Sequence, residues 1–229
     1  GEDDNDNQEV RRWGKPREFG FELKNHGELI EEKGIGDFRR ATKVAGKGFY
    51  YLKGDLALLN RALINFAVDF LTRRGYEFVE PPLMIKRGII DGVVDYETFR
   101  EMVYNIEEED LHLIATSEHP LMGMYKDEDI EGLPKKYVGY SQCFRKEIGS
   151  HGVDEKGLFR VHQFHKVEQL IISEPDKSWE YFEELIKNSE DMFRELELPY
   201  RVVNVCTGDL GVPTSKKYDL EVWMPRQEK

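Results

Sequence analysis

The sequence predicts an α+β protein, a mostly antiparallel β-sheet flanked by helices. Three observations carry that prediction. Strand-like runs follow one another through turns or isolated helices, without the regular βα alternation that a parallel sheet requires. One strong helical period stands early in the chain, where Leu56, Leu59, Leu63, Phe66 and Phe70 recur every three or four residues until Gly75. Residues 137–172 read as two long strands joined by a polar, glycine-punctuated loop at 149–157.

Taken in order, residues 1–20 are polar and aperiodic, with Trp13 and Pro16 as anchors. They read as a linker, disordered at its start, that enters a domain spanning 21–229. Short helices are expected at 26–33 and 37–45, separated by Gly34 and Gly36, and a short aromatic strand at 49–52 before Gly54. Asp55 is a plausible N-cap for the periodic helix, which runs about five turns. A strand at 76–80 ends at Pro81 and Pro82, neither of which can donate to a ladder. Residues 84–100 read as irregular helix, 102–106 and 111–115 as strands around the acidic turn 107–110, and 116–125 as helix. After the long hairpin, a helix at 176–196 places Trp179, Phe182, Ile186, Phe193 and Leu196 on one core stripe. Strands at 200–206 and 217–224 complete the pattern.

Composition narrows the function. In 229 residues, 39% hydrophobic content can build a sizeable core, and 34% charged residues with a formal net charge of -12 describe an acidic surface. That charge argues against strong, autonomous binding to a phosphate backbone. The start, GEDDNDNQEV, lacks the basic and then apolar character of a signal peptide, and no run has the apolar length of a membrane span. A cytoplasmic protein without a membrane partner is expected. Cys143 and Cys206 fit no disulfide framework. With Glu168 they could in principle ligate zinc, but no CxxC spacing supports it, and no metal site is assigned.

The chemistry concentrates in the hairpin. Arg145 and Glu147 share one parity of its first strand; Arg160, Phe164 and Glu168 share one parity of its second. Alone, the first pair reads as a cross-strand ion pair on a solvated face. With the second strand it describes a slot, because Phe164 and Glu168 would stand about 13 Å apart at strand rise. A base on Phe164, a phosphate on Arg145 or Arg160 and a small polar group at Glu168 would fill that length. Thr116, Ser117 and Glu118 put hydroxyls and a carboxylate at a helix start, which reads as an ordinary N-cap with a first-turn acid or as an ammonium-binding corner. His162 and His165 fall on opposite strand faces and cannot share a metal.

These motifs resemble the seryl-tRNA synthetases, class II aminoacyl-tRNA synthetases of archaeal and bacterial type. The strings are FRKE at 144–147, GLFRVHQFHKVE at 157–168, TSE at 116–118, CTGDLG at 206–211 and KKYDLEVWMP at 216–225. The helix at 55–73 followed by GYEFVEPP is similar to that class's motif 1, the dimer interface, and the two hairpin strands to its motif 2. The resemblance runs from about Val10 to the last residue.

The resemblance implies a class II catalytic-core fold and the ATP-dependent activation of L-serine to seryl-adenylate, with transfer to tRNA(Ser). Arg145 is expected to hold the α-phosphate as the catalytic residue, and Glu147 to contact the adenine end. Phe164 is expected to stack on adenine, with Val161 giving a backbone contact; Lys146 and Arg160 complete the ATP-binding set. Thr116, Ser117, Glu118 and Glu168 are expected to line the serine pocket. Mg²⁺ is an expected cofactor, its main ligands lying beyond residue 229 together with motif 3. The family's tRNA-binding arm precedes the Val10 segment. A chain with these limits is expected to be a truncated core of little or no activation activity, a homodimer through 55–82. An arm-less relative that charges a carrier protein, and a non-catalytic dimerisation module, are the competing readings.

Overall fold

A computed structural model describes residues 1–94, 99–147, 157–211 and 213–228. The chain divides into two compact units, one of Asn25–Ile172 and one of Gly1–Lys24 with Ser173–Lys229. Both are built from helices and mostly antiparallel strands, as the sequence predicts.

In the 25–172 unit, helix α1 (His26–Glu32) starts from a capping box. The Asn25 side chain accepts from the Gly27 N–H, and Glu28 accepts from the Asn25 N–H. Helix α2 (Phe38–Ala45) is capped by Asp37, which accepts from the Arg40 N–H at 2.8 Å. The periodic segment is helix α3 (Gly54–Thr72). It begins after Lys53 without a side-chain cap, so Asp55 sits within the first turn rather than capping it. Gly75, at φ +86°, adopts the left-handed conformation that follows the helix end.

Strand β2 (Glu77–Val79) pairs in parallel with β5 (Lys135–Phe144), and β5 pairs antiparallel with β6 (Gln163–Ile172) along its whole length, from Lys135 opposite Ile172 to Phe144 opposite Gln163. The hairpin forms as the sequence predicts, but its regular strands are shorter than expected, ending at Phe144 and resuming at Gln163; residues 148–156 lie outside the described residues. Of the expected helix at 84–100, the first residues form instead β3 (Met84–Ile85) and a single helical turn, α4 (Arg87–Ile90), while residues 95–98 lie outside the described residues. Strand β4 (His112–Leu113) pairs with β3, and Ile85, Ile90 and Ile114 bury together behind them. The pairing around the acidic turn holds through backbone bonds from Ile106 to Leu111 and from Leu113 to Tyr104, with Glu108 at φ 64°. Residues 49–52 contribute only an isolated bridge, Gly36 to Leu52. Helix α5 (Glu118–Gly123) follows the TSE triplet.

The other unit corrects the reading of the N-terminal segment. Residues read as a linker form a strand, β1 (Gln8–Trp13), at the edge of a sheet ordered β1, β7 (Tyr200–Asn204), β8 (Tyr218–Val222). Its polar sequence concealed it because polar and aromatic contacts anchor it in place of aliphatic alternation. Arg11 pairs with the buried Glu190 at 2.6 Å, and Trp13 stacks on Tyr200. Burial raises the Glu190 pKa, but hydrogen bonds from Arg11 and Tyr200 outweigh it and hold the carboxyl below its ordinary value. Helix α6 (Ser178–Glu195) covers the core of Ile186, Tyr200 and Val202. Trp179, read as core, is 58% exposed; it meets Phe182 in a T-shaped contact and the Lys216 ammonium lies 5.8 Å from its ring centre, while the helix's buried residues begin two turns later at Ile186.

Candidate functional site

The site is a face of the β5–β6 ladder. Register puts Phe164 opposite Cys143, Lys166 opposite Ser141 and Glu168 opposite Gly139, so three large side chains of β6 stand over three small residues of β5. Gly139 lets α5 approach: a Cβ there would lie 2.8 Å from Leu121 Cδ1 and 2.9 Å from Ser117 Oγ. The other face of the hairpin carries Tyr140 and His165, whose rings stack and hydrogen-bond at 3.0 Å. There burial, reinforced by the charge of Arg61 on α3, lowers the His165 pKa.

Thr116 and Glu168 are brought together as expected. Thr116 Oγ1 donates to Glu168 Oε2 at 3.0 Å and accepts from the Glu118 N–H at 3.3 Å. Burial and then the charge of Glu168 push the Glu118 carboxyl above its ordinary value, with Lys166 opposing. Ser117 is placed elsewhere. Its side chain is fully buried, and its Oγ packs toward Gly139 without a hydrogen-bond partner. It belongs to the wall behind the pocket.

Arg145 stands at the other end, its Cζ 5.2 Å from the centre of the Phe164 ring and its Nε donating to Ala115 O at 3.2 Å. Strand parity does not put it there. Strand β5 ends at Phe144 and β6 begins at Gln163, so Arg145, Glu147 and Arg160 all lie beyond the regular ladder. One further bond, Arg145 N–H to His162 O at 3.0 Å, extends the pairing past the strand end. Glu147, at φ 47°, and Arg160 meet in an ion pair of 2.9 Å, the cross-hairpin pairing that FRKE suggests when read alone. The Lys146 N–H donates to Met102 O, and its ammonium lies over the Tyr104 ring at 5.9 Å. The Val161 side chain is buried.

Sequence reasoning missed two residues. His162 stacks on Phe49, and its Nδ1 sits 2.9 Å from Arg145 O and 3.1 Å from the Tyr104 hydroxyl, so it props the backbone that carries Arg145. Lys166 forms an ion pair with Glu168 and donates to Thr116 Oγ1 at 3.2 Å. Its parity with Phe164 and Glu168 was the available signal.

Among the described residues, no group of three or more His, Cys, Asp or Glu is placed to hold a metal ion. Cys143 is fully buried beside Ser141 Oγ, and Cys206 belongs to the other unit, where its thiol donates to Asp3 O at 3.2 Å. A cavity of about 500 Å³ in that unit is lined by Asn7, Glu9, Arg201, Val203, Asp209, Asp219 and Glu221, none of them a predicted site residue.

A family profile, the tRNA synthetase class II core domain (G, H, P, S and T), matches residues 99–229. The chain belongs to this family. It is 55% identical over 231 residues to the serine--tRNA ligase of Methanoculleus marisnigri and 49% identical over 251 residues to that of Pyrococcus horikoshii. All of this chain is covered in both, against 54% and 55% of those proteins. The crystal structure of seryl-tRNA synthetase from Pyrococcus horikoshii complexed with ATP matches with a TM-score of 0.96 and 48% identity, covering 100% of this chain and 56% of that one. Cytoplasmic serine-tRNA ligase from Naegleria fowleri in complex with AMP matches with a TM-score of 0.94 and 40% identity, over 99% and 55% of the two chains. The chain thus has the class II synthetase core fold and spans about half the length of the relatives it matches.

Proposed function

We propose that this chain is the catalytic core of a serine--tRNA ligase, which activates L-serine with ATP and passes the seryl group to tRNA(Ser). The observation that carries the reading is the order of groups along one strand face. An aromatic ring and a guanidinium stand together at Phe164 and Arg145, and a hydroxyl and carboxylates at Thr116, Glu118 and Glu168. High identity over the whole chain to serine--tRNA ligases supports it further.

In this reading adenine stacks on Phe164 and the α-phosphate rests against Arg145, whose planar donors suit phosphate oxygens. Glu168 and Glu118 receive the substrate ammonium, and Thr116 with Glu168 reads the hydroxyl. A site that hydrogen-bonds a hydroxyl rejects alanine far more strongly than size alone allows. An oxygen of the serine carboxylate attacks the α-phosphorus in line; the new P–O bond forms as the bond to pyrophosphate breaks, and pyrophosphate leaves with the electron pair. The nucleophile is already ionised, so no general base is needed. Catalysis rests on positioning and on charge placed before the reaction begins. Magnesium at a nucleotide is held largely by phosphates and water with one or two carboxylates, and no step here is assigned to it.

No helix among the described residues is long and apolar enough to cross a membrane; the cytoplasmic location proposed for the chain rests on the serine--tRNA ligase reading. The family's dimer would form through α3 and β2, which present Leu58, Leu59, Leu63 and Phe78 to solvent.

Calorimetric titration with a non-hydrolysable seryl-adenylate analogue tests the core reading. Binding by the wild type, weakened about 10- to 100-fold in Arg145→Ala and in Glu168→Ala, is expected from the loss of one charge-assisted contact each. A wild type that does not bind the analogue would overturn it.

A further inference from the structure

Lys166 lies between Phe164 and Glu168 on the same strand face, and the mechanism above gives it no task. Side chains of one parity follow each other at roughly 7 Å along a strand. The face therefore reads aromatic, cation, carboxylate. An aminoacyl-adenylate laid along it reads adenine, then phosphate and acyl group, then ammonium. The ends of the two series match, and the middle of the ligand is where two anions must approach, the α-phosphate and the attacking carboxylate. Arg145, 5.2 Å from the Phe164 ring centre, serves the phosphate side. Lys166 is the cation nearest the amino-acid side.

Its contacts say more. The Lys166 ammonium is held on Glu168 Oε2, the oxygen to which Thr116 Oγ1 also donates, and it donates to Thr116 Oγ1 at 3.2 Å. The side chains of Lys166 and Glu168 are 32% and 21% exposed, so an arriving ligand reaches both. A substrate ammonium that binds Glu168 competes with one that is already there. Two like charges on one carboxylate repel, and the tethered one swings on a flexible four-carbon stem. The nearest new anion is the substrate's own carboxylate, one bond from the carbon that bears the arriving ammonium.

Building on the serine-activation reading, we propose that Lys166 is a positioning and specificity residue that exchanges Glu168 for the α-carboxylate of the incoming amino acid. The exchange aims the nucleophilic oxygen at the phosphate. It also selects amino acids over amino alcohols: an amine without a carboxylate must displace Lys166 and offers it nothing in return.

The test compares L-serine with serinol, which keeps an ammonium and a hydroxyl but replaces the carboxylate by a second alcohol. Apparent dissociation constants come from the ligand-dependent rise in melting temperature at neutral pH. In Lys166→Met, serine binding is expected to weaken about 10- to 100-fold, the scale of one charge-assisted hydrogen bond, while serinol binding stays the same or tightens. Lys166→Arg keeps the cation and is expected to keep most of the preference for serine. Equal shifts for both ligands in Lys166→Met would overturn the proposal, because Lys166 would then act only through Glu168. Unchanged discrimination would overturn it too. A wild type that binds neither serine nor the seryl-adenylate analogue would instead overturn the serine reading on which the proposal rests.

Discussion

Glu118 and His119 are adjacent, and burial moves their protons in opposite directions. It favours the uncharged form of each, raising the Glu118 carboxyl and lowering the His119 imidazole from 6.5 to about 4, where Lys166 and Arg145 add to the effect and Glu168 opposes it. His119 is 4% exposed, and its Nδ1 has no hydrogen-bond partner. Its folded-state pKa is depressed, so the stability it contributes is fully present above pH 6.5 and is lost as pH falls toward 4, where the unfolded chain takes up a proton that the folded chain refuses. At 1.36 kcal/mol per unit, the loss is at most about 3 kcal/mol. Urea unfolding at pH 7 and pH 4.5 is expected to show wild type losing more stability than His119→Gln across that interval; parallel losses would refute the assignment. None of this was legible in the triplet and its neighbour. Thr116, Ser117 and Glu118 look like one polar patch in sequence, yet Ser117 alone turns under Gly139, because a distant glycine leaves room for it.

At the scale of elements, the hairpin was legible and its ends were not. Ten paired positions from Lys135 to Phe144 follow from β-branched and aromatic runs bounded by turn residues. The residues with most chemistry, Arg145, Glu147 and Arg160, lie where the ladder stops, and the alternation argument does not reach past a strand end. They converge through the Arg145 to His162 backbone bond and the Arg160 to Glu147 ion pair, neither of which has a periodic signature. Strand β1 was missed for a related reason, since Arg11 earns its place by pairing with Glu190 across the unit and not by local pattern. The seating of α5 on β5 is the packing contact on which the pocket depends. Gly139→Ala would drive a methyl group to 2.8 Å from Leu121 Cδ1 and 2.9 Å from Ser117 Oγ. Overpacking of this kind costs about 1 to 3 kcal/mol, and relief by lifting α5 would move Thr116 and Glu118 as well. A lower urea midpoint with unchanged slope, together with weaker binding of the seryl-adenylate analogue, is the expected result. Wild-type stability in the variant would show that the contact is slack.

For the molecule as a whole, the sequence pattern separated fold class from assembly poorly, because one helix carries signals for both. The period through Leu56, Leu59, Leu63, Phe66 and Phe70 predicts an apolar helix face; Leu59 and Leu63 are 54% and 43% exposed, Leu58 is 67% exposed, and full burial is reached only at Phe70 and Leu71. Hydrophobic periodicity reports that a face avoids water and is silent about what covers it. Each leucine gains roughly 1.5 to 3 kcal/mol if buried, enough for a cluster of three to favour association strongly. A second copy of the chain is the covering partner that the proposed family function implies. Light scattering at micromolar concentration is expected to give twice the 26.9 kDa chain mass for the wild type and the single mass for Leu58→Glu/Leu63→Glu, with far-ultraviolet circular dichroism unchanged. Carboxylates at those positions leave a monomer's exposed surface nearly undisturbed but cannot be buried in pairs across an interface. A monomeric wild type would show that the apolar face of α3 does not serve self-association in this chain.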